Sequence, residues 1–102
     1  MTVTPKKALG QHFLADPNLL GVIGRLADLA PDDVVLEIGP GLGVLTRYLA
    51  ERVEFVHAVE IDRSLGPHLE LPGNVVLHFG DALELDLAAL DPPATKLVSN
   101  LP

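Results

Sequence analysis

Cysteine is absent from this chain of 102 residues. That excludes disulfide bonds and thiol catalysis and removes the usual ligands of structural zinc, without fixing a compartment. The four histidines do not cluster in sequence, and no metal site is expected. No apolar run reaches the length of a membrane span, and the opening Met1-Thr2-Val3-Thr4-Pro5-Lys6-Lys7 lacks the hydrophobic stretch of a signal peptide. A cytoplasmic protein with no membrane partner is the default expectation. Basic residues are scarce: seven Lys and Arg stand against fourteen Asp and Glu, a formal net charge of -7. This balance argues against the chain alone holding a polyanion by attraction, because phosphate contacts need clustered Lys and Arg. Lys6 and Lys7 form the only basic pair, and they serve equally as a solvated tail or as a local contact for RNA.

What is present suffices for one modest core, at 48% hydrophobic content. Four short apolar runs, Val34 to Ile38, Phe55 to Glu60, Val75 to Phe79 and Lys96 to Ser99, read as buried strands. Asp16-Pro17 starts a helix that carries Leu19, Leu20, Ile23, Leu26, Ala27 and Ala30 and is closed by Pro31. A second helix is expected from about Val44 to Arg52, a short broken one around Leu65 to Leu69, and a third over Ala82 to Leu90. The alternation predicts an α/β fold: a doubly wound parallel sheet in the order 3-2-1-4, with a ligand crevice between the first and fourth strands. The chain ends just after the fourth strand, where such a sheet would continue. An incomplete, amino-terminal piece is expected, with an open apolar edge.

The most informative stretch is Glu37-Ile38-Gly39-Pro40-Gly41-Leu42-Gly43, which turns the apolar run Val34-Val35-Leu36 into a glycine turn and then a helix. Glycines there allow close backbone approach to a ligand, or simply make a tight turn. A dinucleotide fingerprint, GxGxxG, would place its third glycine at position 44, which is Val44. The spacing is GxGxG. With an acidic residue two places ahead of Gly39, the stretch resembles the first motif of class I S-adenosylmethionine-dependent methyltransferases.

Other chemistry-bearing residues fall at strand ends. Glu60 stands 21 residues after Gly39, where a carboxylate can accept both ribose hydroxyl hydrogen bonds. Asp62 reads as a helix cap. In Gly80-Asp81-Ala82-Leu83, Asp81 can accept from an adenine amino group while Ala82 offers a backbone donor and Leu83 packs near the ring; Asp81 fits a helix start equally well. Ser99-Asn100-Leu101-Pro102 closes the fourth strand. The exocyclic amine of adenine is a poor nucleophile, so two acceptors must hold its hydrogens and aim the nitrogen, and the Asn100 side chain and Leu101 carbonyl would be those acceptors. Amino-directed methyltransferases, which this stretch resembles, place an Asn or Asp, a free carbonyl, a proline and an aromatic here; the expected aromatic, to stack on a flipped base, would fall one position beyond Pro102. Asp91-Pro92-Pro93-Ala94 imitates an Asp-Pro-Pro-aromatic motif but lacks the aromatic and precedes the strand; it reads as a loop.

Lys7-Ala8-Leu9-Gly10-Gln11-His12-Phe13-Leu14 resembles the amino-terminal signature of ribosomal RNA adenine dimethyltransferases. With the glycine turn, Val59-Glu60-Ile61-Asp62, Gly80-Asp81-Ala82 and Asn100-Leu101-Pro102, the resemblance spans the chain. It implies a Rossmann-like class I methyltransferase fold, with residues 1–15 as signature and tail and 16–102 as part of the S-adenosylmethionine-binding domain. It implies His12 and Leu14 over the methionine portion of the cofactor, and Gly39 and Gly41 in the turn beneath it. Glu60 would hold the ribose, Asp81 and Ala82 the adenine, and Asn100 both cofactor and target amine. Position 12 is often Asn in that signature; His12 would make the contact sensitive to protonation. The housekeeping branch, which dimethylates two adjacent adenosines of small-subunit ribosomal RNA, is the nearest likeness, with the rRNA or the assembling subunit as partner. The piece alone is expected to be inactive. Two rivals are a non-catalytic S-adenosylmethionine-binding or ribosome-assembly module and an NAD-dependent dehydrogenase, the latter opposed by Val44 and by Asn100-Leu101-Pro102.

Overall fold

The computed structural model describes residues 17–99. Within them the order of elements is α1 (Pro17–Leu26), β1 (Val34–Ile38), α2 (Val44–Ala50), β2 (Phe55–Glu60), a 3-10 helix (Arg63–His68), β3 (Val75–Phe79), a short 3-10 turn (Leu87–Ala89) and β4 (Lys96–Ser99). The four strands form one parallel sheet in the order β3-β2-β1-β4. The chain winds outward from β1 through β2 to β3 and then returns to the other side of β1. The crevice at that reversal, beyond the carboxyl ends of β1 and β4, is where open α/β sheets bind ligands.

Alternation along the strands divides the residues between two faces. Val35, Val56 and Val98 face the helices and join Leu20, Ile23 and Ala27 from the α1 segment and Leu45, Leu49 and Ala50 from α2 in one core. Burial of each large aliphatic there contributes roughly 1.5 to 3 kcal/mol. Gly24 sits inside α1 because a Cβ would come within 2.6 Å of the Tyr48 hydroxyl on α2. The opposite face carries Leu36, His57 and Val59, and His57 is fixed by hydrogen bonds of 3.0 Å to His78 and 2.8 Å to the Pro92 carbonyl. Since a carbonyl only accepts, His57 donates through Nε2 to Pro92.

Three helix expectations need correction. The first helix stops at Leu26, not at Pro31, because Asp28 takes a left-handed φ of 52°. Asp28 N–H then bonds Arg25 O at 3.1 Å and Leu29 N–H bonds Gly24 O at 3.3 Å, a Schellman close with Asp in the place usual for Gly. α2 ends at Ala50, two residues short, where the Asn74 side chain donates to the Ala50 carbonyl at 2.8 Å. Ala82 to Leu90 is no helix: after one turn closed by Leu85 N–H to Asp81 O at 3.0 Å, the chain opens into the Leu87–Ala89 turn. Leu83, the first leucine of the segment, remains 94% exposed, so little burial favours continuing the helix there. Asp91-Pro92-Pro93-Ala94 lies in the loop before β4.

The amino ends of the strands are locked by Asp33. Its carboxylate accepts from Ala30 N–H (2.8 Å) and the Thr95 hydroxyl (2.8 Å) and pairs with Lys96 Nζ at 3.2 Å. Thr95 Oγ1 in turn accepts from Val34 N–H at 2.9 Å, and Lys96 also donates to the Asp28 carbonyl. Burial raises the Asp33 carboxyl's proton affinity, but the Ala30, Thr95 and Lys96 donors outweigh it and hold the group below its ordinary value.

Candidate functional site

The carboxyl ends of the strands carry a different set of residues. Gly39, Gly41 and Gly43 have φ values of 76°, 57° and 84°, a left-handed path closed to most side chains. A Cβ built at Gly41 would meet nothing within 4 Å, so its strain comes from the backbone and the space around it is open. Gly39 N–H bonds Val59 O at 2.9 Å, tying the turn to the end of β2.

Glu60 closes β2 on the helix-bearing face and is buried. Its Oε1 accepts from Gly41 N–H at 3.2 Å and its Oε2 from Asp62 N–H at 2.9 Å. One carboxylate therefore holds the middle of the glycine turn and its own following loop. Each oxygen keeps a further lone pair for a ligand hydroxyl. Asp62 is spent locally, as expected of a cap: it accepts from the Ser64 amide (3.0 Å) and hydroxyl (2.6 Å), and those bonds lower its pKa.

Asp81 and Ala82 follow β3, whose last residue Phe79 is in register with Glu60. Gly80 N–H bonds Glu60 O at 3.0 Å, so the ends of β2 and β3 are joined. Asp81 Oδ1 accepts from Leu83 N–H at 2.9 Å, the local turn that was the alternative to a ligand contact. The structure thus brings Gly39, Gly41 and Glu60 together and sets Asp81 and Ala82 one strand away. His12, Leu14, Asn100, Leu101 and Pro102, together with Lys6 and Lys7, lie outside the described residues; Ser99, in register with Ile38, is the last one described on β4.

Two features escape a reading by motif alone. Ile61 is 70% exposed directly after Glu60, and with Leu83 it places bare aliphatic surface at the ends of β2 and β3. The signal was an apolar residue between two acids in Val59-Glu60-Ile61-Asp62. The second is Glu37, fully buried, whose Oε1 accepts from the Thr46 hydroxyl at 2.5 Å while Oε2 has no partner among the described residues. Desolvation raises its pKa to about 7 against the Thr46 hydrogen bond, and the Glu60 charge adds to the rise. Among the described residues, no group of three or more His, Asp or Glu gathers as a metal site, and no helix is long and apolar enough to cross a membrane.

The chemistry of this edge suits a nucleoside: an open glycine turn, a buried carboxylate with spare lone pairs for a diol, and apolar surface for a ring. A family model described as Ribosomal RNA adenine dimethylase matches residues 3–102. The chain belongs to that family. Two relatives named Ribosomal RNA small subunit methyltransferase A agree: that of Rubrobacter xylanophilus is 52% identical over 99% of this chain and 39% of its own length, and that of Deinococcus radiodurans 50% identical over 96% and 34%. Among solved structures, a dimethyladenosine transferase from Plasmodium falciparum superposes with a TM-score of 0.71 at 28% identity, covering 85% of this chain and 32% of that one. The 23S rRNA methyltransferase ErmE gives 0.61 at 34% identity, covering 85% and 36%. These structures share the fold, and the chain spans about 40% of the length of the curated relatives it matches.

Proposed function

We propose that this chain is the cofactor-holding part of an S-adenosylmethionine-dependent rRNA adenine dimethyltransferase that modifies two adjacent adenosines of small-subunit ribosomal RNA in the cytoplasm. The observation that carries the reading is the Glu60 carboxylate, buried, bonded to Gly41 N–H and still able to accept from a ribose diol. S-adenosylmethionine, when bound, supplies a methyl carbon on a sulfonium leaving group. The chain's work is then to bind and orient. Gly39 and Gly41 let the backbone approach the ligand, and Glu60 holds the ribose hydroxyls. Asp81 and Ala82 address the adenine edge, and Ile61 and Leu83 cover its ring faces. His12 and Leu14 would close over the methionine portion. Asn100 and the Leu101 carbonyl would accept the two hydrogens of the target amine and aim its nitrogen, with Pro102 stiffening the turn. No covalent nucleophile is called for, because the leaving group is already good.

The test is transfer of labelled methyl groups to unmethylated small ribosomal subunits. The chain is grafted in place of the matching segment of the Rubrobacter xylanophilus relative. The graft is expected to dimethylate, the 102-residue chain alone to show no turnover, and Asn100→Ala in the graft to lose at least 100-fold in rate, on the order of 3 kcal/mol, while still binding cofactor. A graft that binds cofactor but leaves the subunits unmodified would contradict the assignment.

A further inference from the structure

Glu37 is chemically out of place in a core. It ends no strand and is fully buried, and among the described residues it touches no cation and only one of its two oxygens is satisfied. A buried carboxylate with an unpartnered oxygen is costly when ionised, and the cost falls if that oxygen carries a proton. Its position gives the proton a use. Glu37 lies two residues before Gly39, beside Ala58 of β2, on the same sheet face as Glu60. Two carboxyl groups on one face at the carboxyl edge resist ionising together. Resting on the cofactor reading above, we propose that Glu37 is a proton-linked positioning residue, protonated when the glycine turn is free and releasing its proton to solvent when a cationic sulfonium nucleoside is held there.

Among the described residues, few other groups are placed to respond. α2 presents the Thr46 hydroxyl to it, and β4 places Val98 alongside in register. The core positions of α1, Leu20 and Ile23, are uncharged. Lys96 and Asp33 neutralise each other at the opposite end of the sheet, and the Arg47 guanidinium turns outward to the Leu42 and Glu70 carbonyls. Among the described residues, Glu60 is thus the charged group whose field Glu37 feels, and a positive ligand held by Glu60 offsets it. Burial and the Glu60 charge set Glu37 to titrate near neutrality, where a modest added field changes its occupancy. Ionised, Glu37 would draw the Thr46 hydroxyl more firmly, fixing the first turn of α2 against the end of β1 under the bound ligand.

The experiment is calorimetric titration of the chain at pH 7 in phosphate and in Tris, whose ionisation heats differ, with S-adenosylmethionine and with its neutral-sulfur product S-adenosylhomocysteine. The difference in heat between buffers counts protons. About half a proton is expected to leave per sulfonium ligand bound, and fewer with the product. Glu37→Gln, which keeps the shape without the proton, should abolish the release. Thr46→Val, which removes the donor that favours the ionised form, should increase it, and it carries the test if Glu37→Gln fails to bind or fold. Binding without linked protons, or an equal count in wild type and Glu37→Gln, overturns the proposal and leaves the cofactor reading standing. An unchanged count in Thr46→Val also overturns it. No binding of either nucleoside by wild type overturns both.

Discussion

The two ends of the sheet obey opposite rules. At the amino ends of β1 and β4, Asp33, Thr95 and Lys96 satisfy one another and the neighbouring backbone, with Ala30, Val34 and Asp28 all engaged. At the carboxyl ends, three glycines hold left-handed φ, Glu37 Oε2 and Ser99 Oγ are buried without partners among the described residues, and Leu42, Ile61 and Leu83 stand 63%, 70% and 94% exposed. A buried polar oxygen without a partner costs stability, and the exposed aliphatics leave apolar area in water. One edge is built to close a fold and the other to be completed by something else, as expected where ligands sit at the carboxyl ends of parallel strands.

The largest way to break this contrast is to remove the cost at the carboxyl edge. Glu37 has its folded pKa raised from 4.5 to about 7, so the folded state holds a proton that the unfolded state has lost between those values. Stability therefore falls as pH rises from about 4.5 to 7, and stays lower above, by roughly 3 kcal/mol in the full linkage. Denaturation of Glu37→Gln across this range should lack that decline. His78 acts with the opposite sign: burial, then the neighbouring His57, lowers its pKa, so stability is lost as pH drops below the ordinary 6.5. Comparing Glu37→Gln with wild type cancels the His78 contribution. Equal pH profiles would show that Glu37 is ionised in the fold.

Glu60→Gln should weaken S-adenosylmethionine binding by roughly 1.5 to 3 kcal/mol, the loss of a charge-assisted acceptor, while the melting transition stays cooperative. Asp62→Asn, on an exposed cap, should do less. Equal losses of affinity by isothermal titration would show that the ribose role belongs elsewhere.

Asp33→Ala sharpens the contrast from the other end. It strips partners from Ala30 N–H, the Thr95 hydroxyl and Lys96, and should cost about 2 kcal/mol in thermal unfolding, with affinity changed less than threefold in the folded protein. A loss of affinity matching that of Glu60→Gln would mean the two edges are not separable.

Much of this was legible in the residues. All four strands were, because each is a short run with apolar residues, Val34–Ile38 and Val75–Phe79 being bounded by Asp or Asn before and Gly after, and the order 3-2-1-4 followed from their alternation with helices. The glycine turn and Glu60 were legible because spacing alone places them. Helix ends were not: Asp28 closes α1 by a conformation its side chain does not advertise, and the leucines from 83 to 90 have helical spacing although Leu83 is left exposed. Glu37 was visible as part of a motif, but its proton was not. That depends on Thr46 crossing from α2 and on a sheet that seals both from water, neither of which is written at position 37.

The central claim is that the carboxyl edge holds a sulfur nucleoside. It is tested most directly by calorimetric titration of the chain with S-adenosylmethionine, S-adenosylhomocysteine and NAD under one condition. Both sulfur nucleosides should bind, and NAD at least tenfold more weakly, about 1.4 kcal/mol, because Val44 stands where a dinucleotide turn has its third glycine. Tighter binding of NAD than of either sulfur nucleoside would contradict the account.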